Sequence, residues 1–295
     1  MENRTRIILT SVVVSTILTS AVPAVFSQDG VGKQRRPKKS PHVRYFGHYW
    51  VESKTYGSHL NEISDLSNVS WVADITGVRK CAAKKVQCIL QTRWEFFSGG
   101  RSPKGRRVNR LRPDYKFQWD RTAKAIEAHI DTIEAFYVLD EPFWNGASSQ
   151  DLDKAIKAIK DRFPRKPVMV VFAYPSLTRQ LVVPEKADWI GFDHYAPINV
   201  VAKDLRLLKS KLRPHQHMFL VPQSFLNKTA RTDAALARLN RQYYALATSE
   251  PRVIGLLYFG LFTQAKRQRI PRTIQMQRKI ASFIRKRNRG ATGSP

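Results

Sequence analysis

Residues 168–174 have the sequence VMVVFAY, and residues 188–195, one short connection later, have the sequence DWIGFDHY. The first run is apolar at every position and the second contains the stretch WIGF at 189–192, so neither run alternates regularly between polar and apolar side chains. A strand with this pattern is covered on both faces, as in a parallel sheet whose crossovers place helices on the outside. The two runs therefore predict neighbouring strands of a buried parallel sheet.

Six further runs repeat this apolar pattern, at residues 43–50, 69–75, 85–92, 135–139, 218–222 and 253–262. Helix candidates with apolar side chains at helical spacing lie between the runs or after the last one, at 119–130, 151–163, 201–212, 233–247 and 273–287. Successive strands start about 30 residues apart, which is the length of one strand–helix–strand unit. Eight such units predict a closed (β/α)8 TIM barrel in preference to an open doubly wound sheet.

The N-terminal residues have the order of a secretory signal. Arg4 and Arg6 precede an apolar stretch that ends at the small residue Ser27. We expect export to the periplasm or the extracellular space, with an uncleaved membrane anchor as the alternative. The expected parts of the chain are a signal peptide at 1–27, a basic linker at 28–42, a single barrel domain at 43–288 and a disordered tail at 289–295.

The charge of the chain is unusual for a globular protein. Lys and Arg number 51 and Asp and Glu 23, for a net charge of +28, of which only +5 falls in residues 1–42. A field of this sign favours anionic partners. After Glu250 the chain has eleven basic residues and no acidic one. We therefore expect electrostatic contact of the outer helices with an anionic cell envelope or polymer.

Other classes of function have little support in the sequence. No helix-turn-helix, zinc-finger or RNA-binding strand signature is present, so no specific nucleic-acid partner is expected. No phosphate-binding glycine motif and no metal-ligand spacing occurs, so neither a cofactor nor a metal is expected. Cys81 and Cys88 either pair or remain reduced, because their spacing does not fix the distance that a disulfide requires. We expect a monomer.

In a barrel of this kind the active site lies at the carboxyl ends of the strands. The residues predicted there combine carboxylates with aromatic rings, a pairing that suits a carbohydrate substrate, because rings stack on sugars and carboxylates perform acid and base work. The candidates for catalysis are Asp140, Glu141 and Asp193. The candidates for substrate binding are Trp50, Arg93, Trp94, Trp144, Tyr195, Gln223 and Tyr258.

The most informative motif for function is the sequence YVLDEP at residues 137–142, an apolar strand that ends in two adjacent carboxylates and a proline. Here the chain resembles the superfamily of (β/α)8-barrel glycoside hydrolases. The resemblance implies that Glu141, at the end of the fourth strand, is the general acid. It places Asp140 where members with the usual motif have Asn. Asp193 is the expected base or electrostatic support.

A second departure from the family concerns Gln223. Retaining members with two carboxylates have a nucleophilic Glu at the end of the seventh strand, where this chain has Gln223, which cannot attack as a carboxylate. Three explanations stay open. Asp193 or Asp140 supplies the second role, or a group of the substrate itself reacts while Tyr195 or Gln223 orients it, or the site binds sugar without cleaving it.

The long segment after the third strand is strongly basic. Residues 99–113 contain six basic residues and no acidic one. A loop of this length is expected to be a functional lid or a disordered insertion. Arg93, at its start, has the planar fork that binds a sugar carboxylate through two hydrogen bonds. The substrate is therefore expected to be a polysaccharide or oligosaccharide, with an acidic sugar as one form of it.

Overall fold

The computed structural model describes residues 42–63, 65–101, 107–262 and 269–292. The predicted signal peptide at 1–27, nearly all of the predicted linker and the tip of the basic segment at 102–106 lie outside these residues. The described residues all belong to one unit, Ser40–Pro295. Within the described ranges, no helix combines the length and the apolar character needed to cross a membrane.

The strands follow the predicted runs closely. In chain order they are β1 (Tyr45–Ser53), β2 (Gly57–Ser58), β3 (Val69–Val72), β4 (Gln87–Gln91), β5 (Phe97–Arg101), β6 (Arg107–Leu111), β7 (Ile133–Asp140), β8 (Val168–Ala173), β9 (Trp189–Asp193), β10 (His217–Leu220) and β11 (Val253–Tyr258). In the described part of the chain, eight of them form a parallel ring in the order β1-β3-β4-β7-β8-β9-β10-β11, and β11 pairs with β1 to close it. The predicted (β/α)8 barrel is confirmed.

Seven α-helices occur in the described residues. They are α1 (Ile75–Lys84), α2 (Arg93–Phe96), α3 (Tyr115–Ile126), α4 (Ser149–Arg162), α5 (Ile198–Lys209), α6 (Asp233–Ser249) and α7 (Pro271–Thr292). Three of the helices have an N-cap side chain that accepts a hydrogen bond from a backbone N–H of the first turn. These N-caps are Asp74 for α1, Ser148 for α4 and Thr232 for α6. The last helix continues to Thr292, so the predicted boundary between barrel and tail at residue 288 falls inside α7.

The buried side chains form two layers, which explains why the strands lack alternation. One cluster fills the ring itself and includes Trp71, Tyr137 and Phe219. The other lies between the ring and the helices. The interior is filled tightly, because a Cβ on Gly255 would lie 2.2 Å from the Phe219 ring. Each strand therefore contributes apolar side chains to both layers.

The described part of the segment from 93 to 115 has regular structure, so it is not a disordered insertion. It begins with the short helix α2 and continues as an antiparallel hairpin, in which β5 pairs with β6. The Asn109 N–H of β6 donates to the Asn145 carbonyl at 2.9 Å, which ties the hairpin to the loop after β7. The basic run adopts structure of its own because it supplies its own backbone partners across the hairpin.

Cys81 lies on α1 and Cys88 on β4, and both are buried free thiols. A hydrogen bond with Cys81 and burial raise the pKa of the Cys88 thiol well above its ordinary value. Of the two alternatives that the sequence left open, the structure shows the reduced pair.

A buried polar network joins α7 to the barrel through His48 on β1. The His48 ring contacts the Ser67 hydroxyl at 2.9 Å and the Gln277 side-chain oxygen at 3.3 Å, which fits a neutral ring that carries its proton on Nε2. Gln277 in turn donates to Ser224 at 2.7 Å and to Asn240 at 2.9 Å. Burial lowers the pKa of His48 from 6.5 to about 4.

This pKa predicts a pH dependence of stability. Between pH 6.5 and about 4 the unfolded chain binds a proton at His48 that the folded protein does not bind. The free energy of unfolding should therefore decrease as the pH falls through this window, by a total of about 3 kcal/mol. Chemical denaturation of the wild type and His48→Gln between pH 4 and 7 measures the difference. The same substitution at exposed His215 is the control, and a His48→Gln protein that keeps the wild-type slope would contradict the assignment.

Candidate active site at the mouth of the barrel

The carboxyl ends of β7 and β9 bring three carboxylates together. Asp140 ends β7, Glu141 follows it, and Asp193 ends β9, with β8 between the two strands. Burial raises the pKa of Asp193 well above its ordinary value, and the charges of Glu141 and Asp140 and a hydrogen bond with Glu141 raise it further. The three predicted catalytic residues therefore lie within reach of one another.

The carboxyl group of Asp193 is short of hydrogen-bond donors. Its Oδ1 is buried, and no donor among the described residues bonds to it. Its Oδ2 accepts a bond of 3.4 Å from the Tyr195 hydroxyl. A buried carboxylate with few donors and with other carboxylates nearby is disfavoured in its ionised form. Asp193 is therefore the member of the cluster that is suited to hold a proton.

The backbone of Glu141 is held in an unusual conformation. Its φ angle is +47°, in the left-handed region that non-glycine residues rarely adopt. Its N–H donates to the Val171 carbonyl at 2.9 Å, and its own carbonyl accepts from the Asn145 N–H at 2.9 Å. The Asn145 side chain also donates to Glu141 Oε2 at 3.4 Å. The loop thus fixes the direction in which Glu141 leaves the strand, at a cost that is typical of functional sites.

Asp140 is held by two buried phenols. The Tyr137 hydroxyl donates a short hydrogen bond to Asp140 Oδ1, and the Tyr49 hydroxyl lies 3.1 Å from that of Tyr137. The pairing of β7 with β8 changes register between Tyr137 and Asp140, which turns the carboxylate toward the side of the strand where Tyr137 lies. Burial and the Asp140 charge raise the pKa of Tyr137, so this phenol remains a donor.

Aromatic rings surround the carboxylates. Trp50 packs on Trp71 with ring centroids 4.3 Å apart, and the Tyr195 ring lies parallel to that of Phe259 at 5.9 Å. Two buried polar atoms, Nε1 of Trp71 and Oε1 of Gln91, bond to nothing in the described structure. Unpartnered polar atoms of this kind are usually satisfied by water or by a ligand. We refer to these rings and polar atoms, together with the inward-facing Tyr49 and Tyr137, as the aromatic cup.

The other predicted binding residues do not all join this cup. Trp94 and Trp144 are 57% and 60% exposed on the rim. Gln223 is fully buried, and its amide donates to the Phe225 carbonyl at 2.8 Å and accepts from Asn227 at 3.2 Å. Tyr258 points away from the barrel interior and packs on His48 in the layer beneath the helices. Contact of substrate with Gln223 or Tyr258 would therefore require a rearrangement.

Four residues of the cup were absent from the sequence-based candidates, namely Tyr49, Trp71, Gln91 and Tyr137. Each points into the barrel from a strand interior or a strand end. In a strand that is apolar on both faces, the sequence does not show which residues face inward. The alternation within each run could have identified them once one inward residue was known.

Arg93 is connected to Glu141 through two asparagines. Arg93 donates to the Asn109 side chain at 3.0 Å, and Asn109 donates to the Asn145 carbonyl at 3.1 Å. The guanidinium lies 4.5 Å from the centroid of the Trp94 ring. Beside it, Arg93, Gly99, Gly100 and Arg101 line a cavity of about 420 Å³. The hairpin thus places a basic cavity next to the loop that holds the general-acid candidate.

Among the described residues, no group of His, Cys, Asp and Glu side chains is arranged to hold a metal ion.

Known proteins resemble this chain in structure but not in sequence. No protein-family model matches the chain, and no curated protein sequence matches it. A β-galacturonidase of glycoside hydrolase family 2 from Eisenbergiella tayi, bound to galacturonate, is similar in structure with a TM-score of 0.55 at 12% identity, over 82% of this chain and 51% of that one. This chain therefore spans about half of that enzyme.

Two smaller enzymes match over nearly their whole length. A xylanase from Paenibacillus barcinonensis has a TM-score of 0.52 at 10% identity, over 84% of this chain and 98% of that one. A β-1,4-mannanase of glycoside hydrolase family 113 has a TM-score of 0.51 at 11% identity, over 83% of this chain and 99% of that one. The resemblance to the (β/α)8-barrel glycoside hydrolases is confirmed at the level of the fold.

The contact between the two carboxyl groups can be tested by titration. Glu141→Gln removes a neighbouring charge, so the pKa of Asp193 should fall toward its ordinary value of 3.8 while burial keeps it above that value. Carboxyl ¹³C NMR against pH measures the shift. Glu185→Gln, at an exposed site before the start of β9, should leave the Asp193 titration unchanged. An equal Asp193 pKa in the wild type and Glu141→Gln would show that the charge of Glu141 does not act on Asp193.

Proposed function

We propose that the protein is an exported glycoside hydrolase that cleaves a polysaccharide or oligosaccharide at the mouth of the barrel. The observation that carries the proposal is the cluster of Asp140, Glu141 and Asp193 at adjoining strand ends, inside a wall of aromatic rings. Paired carboxylates in unequal environments are the groups that glycoside hydrolysis requires. The signal-like order of residues 1–27 supports export.

In this proposal Glu141 donates the proton to the glycosidic oxygen. Burial and the charges of Glu141 and Asp140 disfavour ionisation of Asp193, which can therefore store a proton beside Glu141. Glu141 is the member that the left-handed turn directs from the strand end, so it delivers the proton to the leaving group. Asp193 then stabilises the positive charge that develops on the sugar ring.

Asp140 supplies the second carboxylate. It accepts a hydrogen bond from Tyr137 and is exposed to solvent, so it can activate a water molecule for attack on the sugar. Gln223 cannot take this role, because it is buried and its amide is occupied. A single displacement by water, with inversion at the anomeric carbon, follows from this assignment.

The basic cavity of the hairpin favours an acidic sugar. Arg93 and Arg101 line it, and the Trp94 ring under the Arg93 guanidinium provides a stacking surface on the same rim. A guanidinium binds a carboxylate through two parallel hydrogen bonds, which orients the sugar as well as attracting it. We therefore propose a uronic-acid residue of the substrate beside Glu141.

Sugar binding without cleavage is the second candidate function. This function is supported by the residue type after β10, where the buried amide of Gln223 stands in place of the expected nucleophilic carboxylate. In that case the aromatic cup would bind glycans and release no reducing ends.

Replacing Glu141 decides between these functions. Glu141→Gln should reduce the release of reducing ends from a glycan panel of polygalacturonate, xylan and mannan by at least about a hundredfold, because the proton donor is lost. Glycan binding and the melting temperature should stay near those of the wild type. Glu127→Gln, an exposed carboxylate on the outside of the barrel, is the matched control. Full turnover in Glu141→Gln would reject the assignment, and no turnover in the wild type would leave only the binding function.

Replacing Arg93 tests the acidic subsite. Arg93→Gln should raise the KM for galacturonate oligomers about tenfold, because a charged hydrogen-bond partner of the carboxylate is removed. The KM for neutral oligosaccharides should change little, and Arg121→Gln on the outer helix α3 should change neither. An equal rise in both KM values would instead indicate that Arg93 only supports the loop of Glu141 through Asn109.

A further inference from the structure

The outer face of α6 and α7 carries a recess that the barrel mouth does not include. Tyr244, Phe283, Lys286 and Arg287 line it, and its volume is about 420 Å³. The two rings are nearly parallel, with an angle of 13° and 6.4 Å between centroids. Phe283 is 57% exposed, which is unusual for a large apolar side chain on a surface helix.

The sequence of α7 places this ring among cations. Ile280, Ala281 and Ile284 bury the inner face of the helix. Residues 279, 283, 286 and 287 follow the spacing i, i+4, i+7 and i+8, so they share one outer stripe. That stripe reads Lys, Phe, Lys, Arg, with the cations about one turn, roughly 5 to 6 Å, to either side of the ring.

The cations of this stripe differ from their neighbours on the same helix. Arg278 pairs with Asp65 at 2.6 Å, and Arg285 donates to the Asp65 carbonyl at 2.9 Å, so both are directed toward the connection after β1. Lys279, Lys286 and Arg287 make no ion pair within the described ranges. α7 contains no acidic residue. The field at the recess is therefore positive, and its charges are available to a partner.

We propose that this α6–α7 recess is a second carbohydrate site, which binds an anionic polysaccharide. A sugar ring lies against Phe283 and Tyr244, and carboxylates of the polymer contact Lys286 and Arg287. The shape distinguishes this partner from a membrane surface. Insertion into a bilayer requires apolar side chains that project from a face, whereas here one ring lies half-buried against the other in a recess. Stacking of successive base pairs covers the ring faces of duplex DNA, so an intact duplex has no ring face to place against Phe283.

The recess lies on the helical exterior and takes no part in the proposed bond cleavage. Holding one segment of a polymer there would raise the concentration of other segments near the barrel mouth. The inference concerns binding and stands whether or not the protein cleaves glycans.

Binding of polygalacturonate to the full chain tests the proposal, with Glu141→Gln present in every variant so that no cleavage occurs. Phe283→Ala and the double variant Lys286→Gln with Arg287→Gln should each weaken binding by at least about threefold, because they remove ring contact and cationic contact. Their melting temperatures should stay near that of the parent protein, since all three side chains are exposed. The matched control is Lys203→Gln with Arg206→Gln on α5, which removes the same charge from another exposed helix face and should leave binding nearly unchanged.

Two comparisons make the result decisive. Neutral dextran should bind weakly and equally to all variants, and vesicles of phosphatidylglycerol and phosphatidylcholine in equal parts should not distinguish Phe283→Ala from the parent. Equal loss in the α5 control would show that only the overall charge attracts the polymer, and would overturn the proposal. Loss of vesicle binding without loss of polygalacturonate binding would overturn it in favour of a lipid surface.

Discussion

Backbone hydrogen bonds between β1 and β11 close the sheet into a ring, and the arrangement of every candidate site residue depends on that closure. Tyr45 pairs with Gly255 and His48 with Tyr258, so the first and last strands of the ring lie side by side. Once the ring is closed, the carboxyl ends of all its strands share one rim. Residues from β7 and β9, more than fifty positions apart in the sequence, then meet in one small volume.

The candidate site is rich in acidic side chains, whereas the chain as a whole is strongly basic. The chain carries a net charge of +28, yet three carboxylates are gathered at the rim. A positive surrounding would favour their ionised forms over long distances, whereas burial and mutual repulsion act at short range and favour a proton on Asp193. The short-range causes dominate at Asp193, because its oxygen is removed from water. The pKa of Asp193 is therefore raised even though the chain as a whole is strongly basic.

The fold could be predicted from the sequence because its signal is repeated eight times. Each apolar run and each amphipathic helix is weak alone, but their regular spacing is hard to reconcile with another architecture. Asp140, Glu141 and Asp193 could be predicted because strand ends are recognisable wherever an apolar run breaks into carboxylates. The sequence could not predict the other four residues of the aromatic cup, because it does not show which residues of a strand face the barrel interior. These residues are Tyr49, Trp71, Gln91 and Tyr137. Tyr258 was misjudged for the same reason, since it lies one residue after the inward Leu257. The hairpin of β5 and β6 was not predicted, because its many basic residues are typical of a solvated loop.

The late position of β11 in the chain also bears on how the protein reaches its folded state. The partner of the first strand is more than two hundred residues distant, so the ring cannot be completed until almost the whole polypeptide has left the ribosome. Contacts of such long range form slowly, and partly assembled sheets expose unpaired edges while they wait. Until β11 is made, the edge of β1 stays open to other partners, so the order in which the strands are synthesised limits when the barrel can close.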